Sequence, residues 1–253
     1  MEKWFSAFDK LIPLEYQRKE VKERIRGEPA VHLDETSWRL FSDNDKSFSW
    51  VMSRSQSKES VFLVGENRGK GNADKLLEDY KGVVVSDDYG AYRKLENHQL
   101  CWAHLIRKFR DLANSQELSE IQINYCKSEY HKLCLIYSDI KNNRIIEKFP
   151  EFEKRLADFS KIKLKDKDIL KTIRLKTTLR KNVPNYLTCL KDENIPMTNN
   201  QAERSLRHLV LKRKISFGSF TKRTVDNLAI LLSVLMSFKQ RYQSNFFAEY
   251  VKL

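Results

Sequence analysis

The sequence predicts an α/β fold in which a mixed β-sheet is flanked by helices. Three short segments rich in β-branched and aromatic residues follow an N-terminal helical pattern, and the compact apolar run Val83–Ser86 is bounded by turn residues. Such a run is typical of a buried central strand. Between residues 104 and 192 strand patterns nearly vanish and glycine is absent. We therefore expect the sheet in the first part of the chain and an all-helical block in the second.

The elements of the first part can be assigned in order. Residues 1–29 predict a helical lead-in, which ends at the boundary signal Arg26-Gly27-Glu28-Pro29. The next segments are separated by polar turns, which favours an antiparallel three-strand meander. The predicted strands are Val31–Phe41, Phe48–Met52 and Val61–Gly65, followed by a short helix at Ala73–Tyr80.

Beyond Val83–Ser86 we expect a helical piece at 91–95, a strand at Gln99–Trp102 and long amphipathic helices around 121–149 and 152–179. Two more helices are predicted from Asn199 to about Lys214 and from Thr224 to Tyr242. Three strands, a helix, two strands and then helices is the order of an RNase H-like fold. The predicted parts are 1–29 (lead-in), 30–103 (first part of the core), 104–195 (helical insertion) and 196–253 (C-terminal core helices).

Composition points to a polyanionic partner. Lysine and arginine number 47 against 34 acidic residues, a net charge of +13, which suits nucleic acid, although a solvated basic surface without a partner is the alternative. The longest apolar run, Leu228–Met236, is far too short to span a membrane. The N-terminus lacks a signal-peptide pattern, and the four cysteines show no paired spacing. We therefore expect a cytoplasmic protein with reduced thiols and no membrane partner.

Two aspartates stand inside strand-like apolar runs. Asp34 lies in the first predicted strand, and Asp87 directly follows Val83–Ser86. A buried, unpaired acid is costly, so its presence in such a run is informative. Two-metal phosphoryl transfer needs carboxylates that converge from different elements, and Mg²⁺ and Mn²⁺ prefer these oxygen ligands. The alternative for each residue is an acid that caps the following turn or helix.

A third candidate acid, Glu203, lies near the start of a predicted helix. Arg207 is four residues further on and shares its face, so it could keep the carboxylate ionised or contact a phosphate; an ordinary exposed ion pair is the alternative. Asn199 or Asn200 could simply be a helix N-cap. Downstream, a basic cluster stands beside Phe217, which fits contact with the DNA backbone, although a basic cluster on a helix is more often a solvated face. The cluster is Lys212-Arg213-Lys214.

The sequence contains four short motifs in this order: His32–Thr36, Ser86–Tyr92, Cys101–Phe109 and Asn199–Arg207. Together they resemble the catalytic region of the transposases of insertion-sequence family sixty-six, in which they occur in the same order. The helical lead-in and the motif Leu211–Lys214 also fit, so the resemblance covers nearly the whole chain. Two positions depart from the family pattern: Asp88 replaces the usual glycine, which offers an alternative ligand beside Asp87, and Ile215 replaces the usual asparagine.

The resemblance implies an RNase H-like catalytic domain with a DDE triad formed by Asp34, Asp87 and Glu203, and a helical insertion before the glutamate. It also implies Mg²⁺, with Mn²⁺ as substitute, and an enzyme that cleaves DNA and joins the freed 3′-hydroxyl to a target. The partners are then double-stranded DNA, both element ends and target, and further copies of the chain, at least a dimer when bound to DNA.

Basic and aromatic residues in the same motifs are candidates for DNA contact. Trp102 could stack on or flip a base, or be a buried aromatic; His104 could contact a phosphate or be a satisfied core histidine. The full set predicted to bind DNA is Trp102, His104, Arg107, Lys108, Arg204, Arg207, Lys212, Arg213 and Lys214.

Two other functions are open at this stage. One is a nuclease of the same fold that cleaves without joining. The other is a DNA-binding remnant without catalysis, against which the intact acids Asp34, Asp87 and Glu203 argue. The N-terminal segments that family members use for end recognition are not visible in the sequence, so we also consider a core that depends on another protein for that step.

Overall fold

The computed structural model describes residues 11–41, 46–57 and 59–242. By their contacts they form two units, one of residues 1–96 with 199–253 and one of residues 97–198. The elements in chain order are α1 (Leu11–Arg26), β1 (Ala30–Arg39), β2 (Lys46–Arg54), β3 (Ser60–Gly65), α2 (Lys70–Leu77), β4 (Val83–Ser86), β5 (His98–Leu100), α3 (Trp102–Ala113), α4 (Glu120–Asn142), α5 (Phe149–Phe159), α6 (Leu170–Lys181), α7 (Val183–Tyr186), α8 (Asn200–Ser216) and α9 (Lys222–Tyr242).

The first unit contains a mixed sheet with the strand order β3-β2-β1-β4. β1 pairs antiparallel with β2 and parallel with β4, and β2 pairs antiparallel with β3. The predicted meander is therefore confirmed, as are the strand at Val83–Ser86 and the helix α1 of the lead-in. Residues 1–10 of that lead-in lie outside the described part of the chain.

Helices cover both faces of this sheet, and the alternation of side chains along β1 decides which face each residue joins. Val31 and Leu33 pack with residues of α1 and α2 in one buried cluster. On the other face, Val51 of β2 packs with Leu206 of α8 and with Val225 of α9. The sheet thus forms a middle layer between two pairs of helices, as the sequence predicts for a mixed sheet flanked by helices.

The second unit begins with the short strand β5 and is otherwise helical, as predicted for this part of the chain. The predicted helix at 152–179 is wrong in one respect, because it is two helices, α5 and α6. They are separated by a turn in which the backbone N–H of Lys163 donates to Asp166 Oδ2 at 2.6 Å. The residues around this turn are mostly lysine and aspartate and lack an apolar period, so nothing continues the helix.

Two other predicted elements are shorter or shifted. The helical piece at 91–95 is only a 3₁₀ turn, Gly90–Tyr92. The strand predicted at Gln99–Trp102 ends at Leu100, and Trp102 begins α3 instead. Among the described residues, no helix has the length and apolar character needed to cross a membrane.

Candidate active site

Asp34 lies on β1, and Asp87 is the first residue after β4, which is the parallel neighbour of β1. The ladder between β1 and β4 pairs His32 with Val85, and the same register continued by two residues sets Asp34 beside Asp87. Neighbouring strands are about 4.8 Å apart, and residues two apart point to the same face. The register therefore brings two of the three predicted acids to one edge of one face of the sheet.

The face on which Asp34 lies is the one covered by α8. Asp34 is directly opposite Val51 of β2, and directly opposed residues of an antiparallel pair share a face. Val51 belongs to the buried cluster that contains Leu206 and Leu209 of α8. The acid in the first strand and the helix that carries Glu203 are consequently on the same side of the sheet.

The N-terminus of α8 is fixed to β1 by Asn199. Its side-chain Nδ2 donates to the carbonyl oxygen of Leu33 at 2.9 Å, and its Oδ1 lies 3.1 Å from His32 Nδ1. Asn199 occupies the N-cap position, as one alternative expected, but its side chain makes no capping hydrogen bond. Its side chain anchors the helix to the strand, and Glu203 follows in the first helical turn.

The hydrogen-bonding pattern defines the protonation of His32. Burial lowers the pKa of His32 to about 4, the hydrogen bond with Asn199 opposes this, and the positive charge of Arg204 adds to the lowering. The imidazole is therefore neutral at physiological pH. Since Asn199 donates through Nδ2 to the Leu33 carbonyl, its Oδ1 is the acceptor toward the ring, and His32 Nδ1 carries the proton.

The electrostatics of Asp34 show that acids surround it. Burial raises the pKa of Asp34 to about 8, although the backbone N–H of Glu35 donates to its Oδ1 at 2.9 Å. The negative charges of Glu35, Asp87 and Glu203 raise it further. The negative charges of all three acids therefore act on Asp34.

The donor chemistry of Asp34, Asp87 and Glu203 fits Mg²⁺ or Mn²⁺. Their carboxylate oxygens are hard ligands from three separate elements, and their mutual repulsion is the kind that a divalent cation relieves. Within residues 11–41, 46–57 and 59–242, no three His, Cys, Asp or Glu side chains are close enough to form a preassembled metal-binding group. Side-chain rotation at Asp34, Asp87 and Glu203 would have to accompany binding.

Asp87 directly follows β4. β4 ends at Ser86, so Asp87 is the first residue beyond the strand, and its charge contributes to raising the pKa of both Asp34 and Glu35. The backbone N–H of Tyr89 donates to Asp87 Oδ1 at 2.9 Å, which orients this carboxylate.

An ion pair between the exposed Arg68 and the buried Glu35, which the sequence did not suggest, supports the loop of Asp87. Glu35 is buried and accepts from Arg68 Nε at 2.7 Å, while the Tyr92 hydroxyl donates to its other oxygen. The Arg68 guanidinium lies 3.8 Å from the ring centroid of Tyr89. This network connects β1 to the segment that follows Asp87. A second acid inside the β1 run and two tyrosines after Asp87 are the sequence signals that could have revealed it.

Most basic residues of α8 that were predicted to bind DNA are exposed, but one of them is bonded to β1. Arg204, Arg207, Lys212 and Lys214 are exposed, as a DNA-binding surface requires. Arg213 is half-buried instead: its Nη1 donates to the Ser37 carbonyl oxygen, to Ser37 Oγ at 2.6 Å and to Thr36 Oγ1 at 3.2 Å. Arg213 thus joins α8 to the end of β1, a role that the sequence did not suggest.

The remaining DNA-binding candidates belong to α3 in the second unit. Trp102 is fully buried, its Nε1 donates to the Tyr186 carbonyl oxygen at 2.9 Å, and its ring packs on Tyr186. The prediction that it stacks on a base is therefore wrong, and the buried-aromatic alternative is right. His104 is half-buried, while Arg107 and Lys108 are exposed.

Comparison with known proteins adds an independent finding. The family model described as "Transposase IS66 family" matches residues 1–226. Relatives from Sinorhizobium fredii include "Uncharacterized protein y4jO", 28% identical over 55% of this chain and 42% of its own length. "Uncharacterized protein y4jD" is 26% identical over 85% of this chain and 48% of its own. The chain thus spans less than half the length of these relatives.

Proposed function

Because the chain belongs to the Transposase IS66 family, we propose that it contains the catalytic core of a DNA transposase with an RNase H-like fold and a DDE triad. Asp34, Asp87 and Glu203 are the proposed catalytic acids. The observation that supports this proposal is the origin of the three acids in three neighbouring segments: β1 and β4 are paired in parallel, Asp87 directly follows β4, and Asn199 holds the helix of Glu203 against β1.

In this proposal the three acids hold Mg²⁺, or Mn²⁺ in its place. When bound, the cations polarise a DNA phosphate and favour deprotonation of the attacking water or 3′-hydroxyl. The residues of the chain supply orientation. Backbone N–H groups fix one oxygen each of Asp34 and Asp87, and the neutral His32 fixes Asn199.

We propose that the exposed basic side chains of α8 bind the DNA backbone. Arg204 and Arg207 lie within one turn of Glu203 on the same helix, so phosphates that they contact are carried close to the acids. Lys212 and Lys214 extend this positive charge along the helix. Both element ends and target DNA are proposed substrates, and assembly into at least a dimer on DNA remains a prediction.

The proposal is tested by DNA cleavage and joining with the purified chain. We expect Mn²⁺-dependent nicking of supercoiled plasmid and transfer of a labelled 3′-hydroxyl oligonucleotide into it. Asp34→Asn, Asp87→Asn and Glu203→Gln should each reduce both reactions roughly 100-fold or more, as the loss of a group that acts on the transition state does.

Matched variants sharpen the test. Asp88→Asn should retain activity if Asp87 is the ligand, and Asp74→Asn, an exposed acid of α2, should be silent. Nicking without joining would favour the same-fold nuclease. DNA binding with no metal-dependent chemistry in any condition would contradict the catalytic assignment and favour the DNA-binding remnant.

A further inference from the structure

The turn between α8 and α9 presents two phenylalanines to solvent. Phe217 and Phe220 are 73% and 72% exposed, more than any other Phe, Tyr or Trp side chain in the part of the chain that the structure describes. Ile215, just before them, is 77% exposed. Aromatic rings normally contribute to a core, so two rings displayed on one short turn indicate a surface that makes contacts.

The backbone of this turn is fixed and strained. Ser219 N–H donates to the Arg39 carbonyl oxygen and Phe41 N–H donates to the Ser219 carbonyl oxygen, both at 3.0 Å. Trp38 Nε1 also donates to Ser219 Oγ at 3.2 Å. These bonds attach the turn to the end of β1. Aromatic side chains on a rigid support lose little conformational freedom when they bind.

Phe217 adopts a left-handed conformation, with φ of 58°, which is unfavourable for a bulky residue. Gly218 follows with φ of 143°, and a Cβ there would lie 2.3 Å from the Arg39 carbonyl oxygen. A glycine at position 217 would remove the strain at that residue. Local strain of this kind is concentrated at functional positions, and here it accompanies a displayed phenylalanine ring.

The charge around the turn indicates what the rings contact. Lys212 and Lys214 precede it on α8 and are exposed, and Arg223 follows it in the first turn of α9 and is exposed as well. An apolar protein partner does not require flanking cations, whereas a nucleic acid offers both phosphates and the flat faces of its bases.

We propose that Phe217 and Phe220 stack on unpaired bases of the DNA strand that the flanking lysines hold. Base–aromatic stacking needs bases that have left the duplex stack, and strands at a cleavage or joining site supply them. The turn is joined to Leu40, the residue after β1 and six residues beyond Asp34, or ~20 Å along an extended chain. That distance corresponds to roughly six base steps. The inference rests on the proposed function, because it assumes a DNA substrate.

The test compares two DNA substrates by fluorescence anisotropy. One is a fluorescein-labelled duplex, and the other is the same duplex with a six-nucleotide single-stranded 3′ extension. We expect the parent chain to prefer the extended DNA, and Phe217→Ala and Phe220→Ala each to weaken its binding roughly tenfold with little change on the fully paired duplex. Phe217→Trp should keep the preference, and Phe217→Leu should lose it.

Tyr16→Ala is the matched control, because Tyr16 is also an aromatic residue of the first unit and 63% exposed, but lies on α1. Thermal melting checks that the variants at Phe217, Phe220 and Tyr16 are folded. If the parent binds neither DNA, both this inference and the proposed function fail. If the parent binds DNA but Phe217→Ala and Phe220→Ala bind the extended DNA as tightly as the parent does, stacking is overturned and the proposed function stands. Loss of self-association in Phe217→Ala, without a change in DNA affinity, would identify a copy–copy interface and overturn stacking.

Discussion

Asn199 Oδ1 lies 3.1 Å from Nδ1 of the buried His32, and this contact joins residues 167 positions apart in the chain. The same asparagine donates to the Leu33 carbonyl oxygen. Two hydrogen bonds from one side chain therefore determine where α8 begins relative to β1. The relative position of Asp34 and Glu203 depends on them.

We expect Asn199→Ala to lower activity by displacing the start of α8 relative to β1. The Leu33 carbonyl and the His32 ring lose a partner inside the protein, which should lower the free energy of unfolding by about 1–3 kcal/mol. Metal-dependent cleavage should fall roughly 10- to 100-fold, while the affinity for duplex DNA changes little. Asn200→Ala, one residue further on, is the control. Cleavage at the parental rate in Asn199→Ala would show that the anchor is not required.

Asp34→Asn should stabilise the metal-free chain at pH 8. The pKa of Asp34 is raised to about 8 in the folded state from an ordinary value of 3.8. The folded chain therefore retains a proton that the unfolded chain has lost, so the free energy of unfolding falls as pH rises from about 4 to about 8. Asparagine removes this penalty, and we expect a gain of about 1–2 kcal/mol.

Urea unfolding at pH 4.5 and pH 8 measures this effect. The difference between Asp34→Asn and the parent should be near zero at the lower pH and appear at the higher one. Added Mn²⁺ should raise the melting temperature of the parent and leave the variant unchanged, because ligand binding stabilises only the state that binds. A variant that is less stable than the parent at both pH values would contradict the interpretation that the ionised Asp34 carboxylate destabilises the folded chain.

Local patterns were enough to predict the strands and where Asp34 and Asp87 stand relative to them. The β1 run with Asp34 and the run Val83–Ser86 with Asp87 show their burial and their ends in a few residues, because β-branched content and turn residues are local properties. The mixed sheet flanked by helices follows from the order of these runs.

Long-range partners could not be predicted in the same way. The partner of Glu35 is Arg68, 33 residues away, and Arg213 contacts Ser37, 176 residues away; no periodicity encodes either pair. Trp102 was misassigned because its sequence neighbourhood resembles a functional motif, whereas its burial depends on Tyr137 and Tyr186. Side-chain contacts across the fold, rather than the elements, are the part that the sequence left open.

Arg68→Met should disturb the loop of Asp87. It leaves the buried Glu35 carboxylate without its cation, a change that costs about 3–5 kcal/mol for buried pairs and less here, because Arg68 is itself partly exposed. We expect a loss of about 1–3 kcal/mol and a weaker Mn²⁺ affinity. Arg68→Lys retains the charge but not the planar stacking on Tyr89, and should recover only part of the loss. Equal stability of the parent and both variants would contradict this role.

The second unit should lose stability in acid through Glu129. Lys176 is fully buried, 2.7 Å from Glu129 Oε2 and 2.9 Å from Asp166 Oδ2. Burial alone would raise the pKa of Glu129, but hydrogen bonds from Lys176, Lys132 and Lys163 outweigh it and hold the pKa at about 2. A lowered folded-state pKa stabilises the fold above about 4.5, and this stabilisation is lost as pH falls from there toward 2.

Glu129→Gln tests this prediction. At pH 7 the free energy of unfolding of the variant should be lower, by less than the ~3–5 kcal/mol of a buried charge left unpaired, because Lys176 loses Glu129 but keeps Asp166. Between pH 4.5 and pH 2 its stability should fall less steeply than that of the parent. Glu117→Gln is the control, since its ion pair with Lys171 is exposed and contributes little. Parallel pH profiles for parent and Glu129→Gln would contradict the assignment.

Arg204 and Arg207 should contribute separately to DNA binding through counterion release. If each contacts one phosphate, Arg204→Ala and Arg207→Ala should each reduce the slope of log K against log salt by about 0.9 on duplex DNA, and the double variant by about twice as much. The control is Arg18→Ala on α1, a helix that packs on the other face of the sheet. Anisotropy titrations from low to moderate salt give the slopes. Unchanged slopes in the double variant would show that DNA does not contact Arg204 or Arg207. The basic side chains on this face of α8 would then have no part in DNA binding, although Glu203 lies on the same helix.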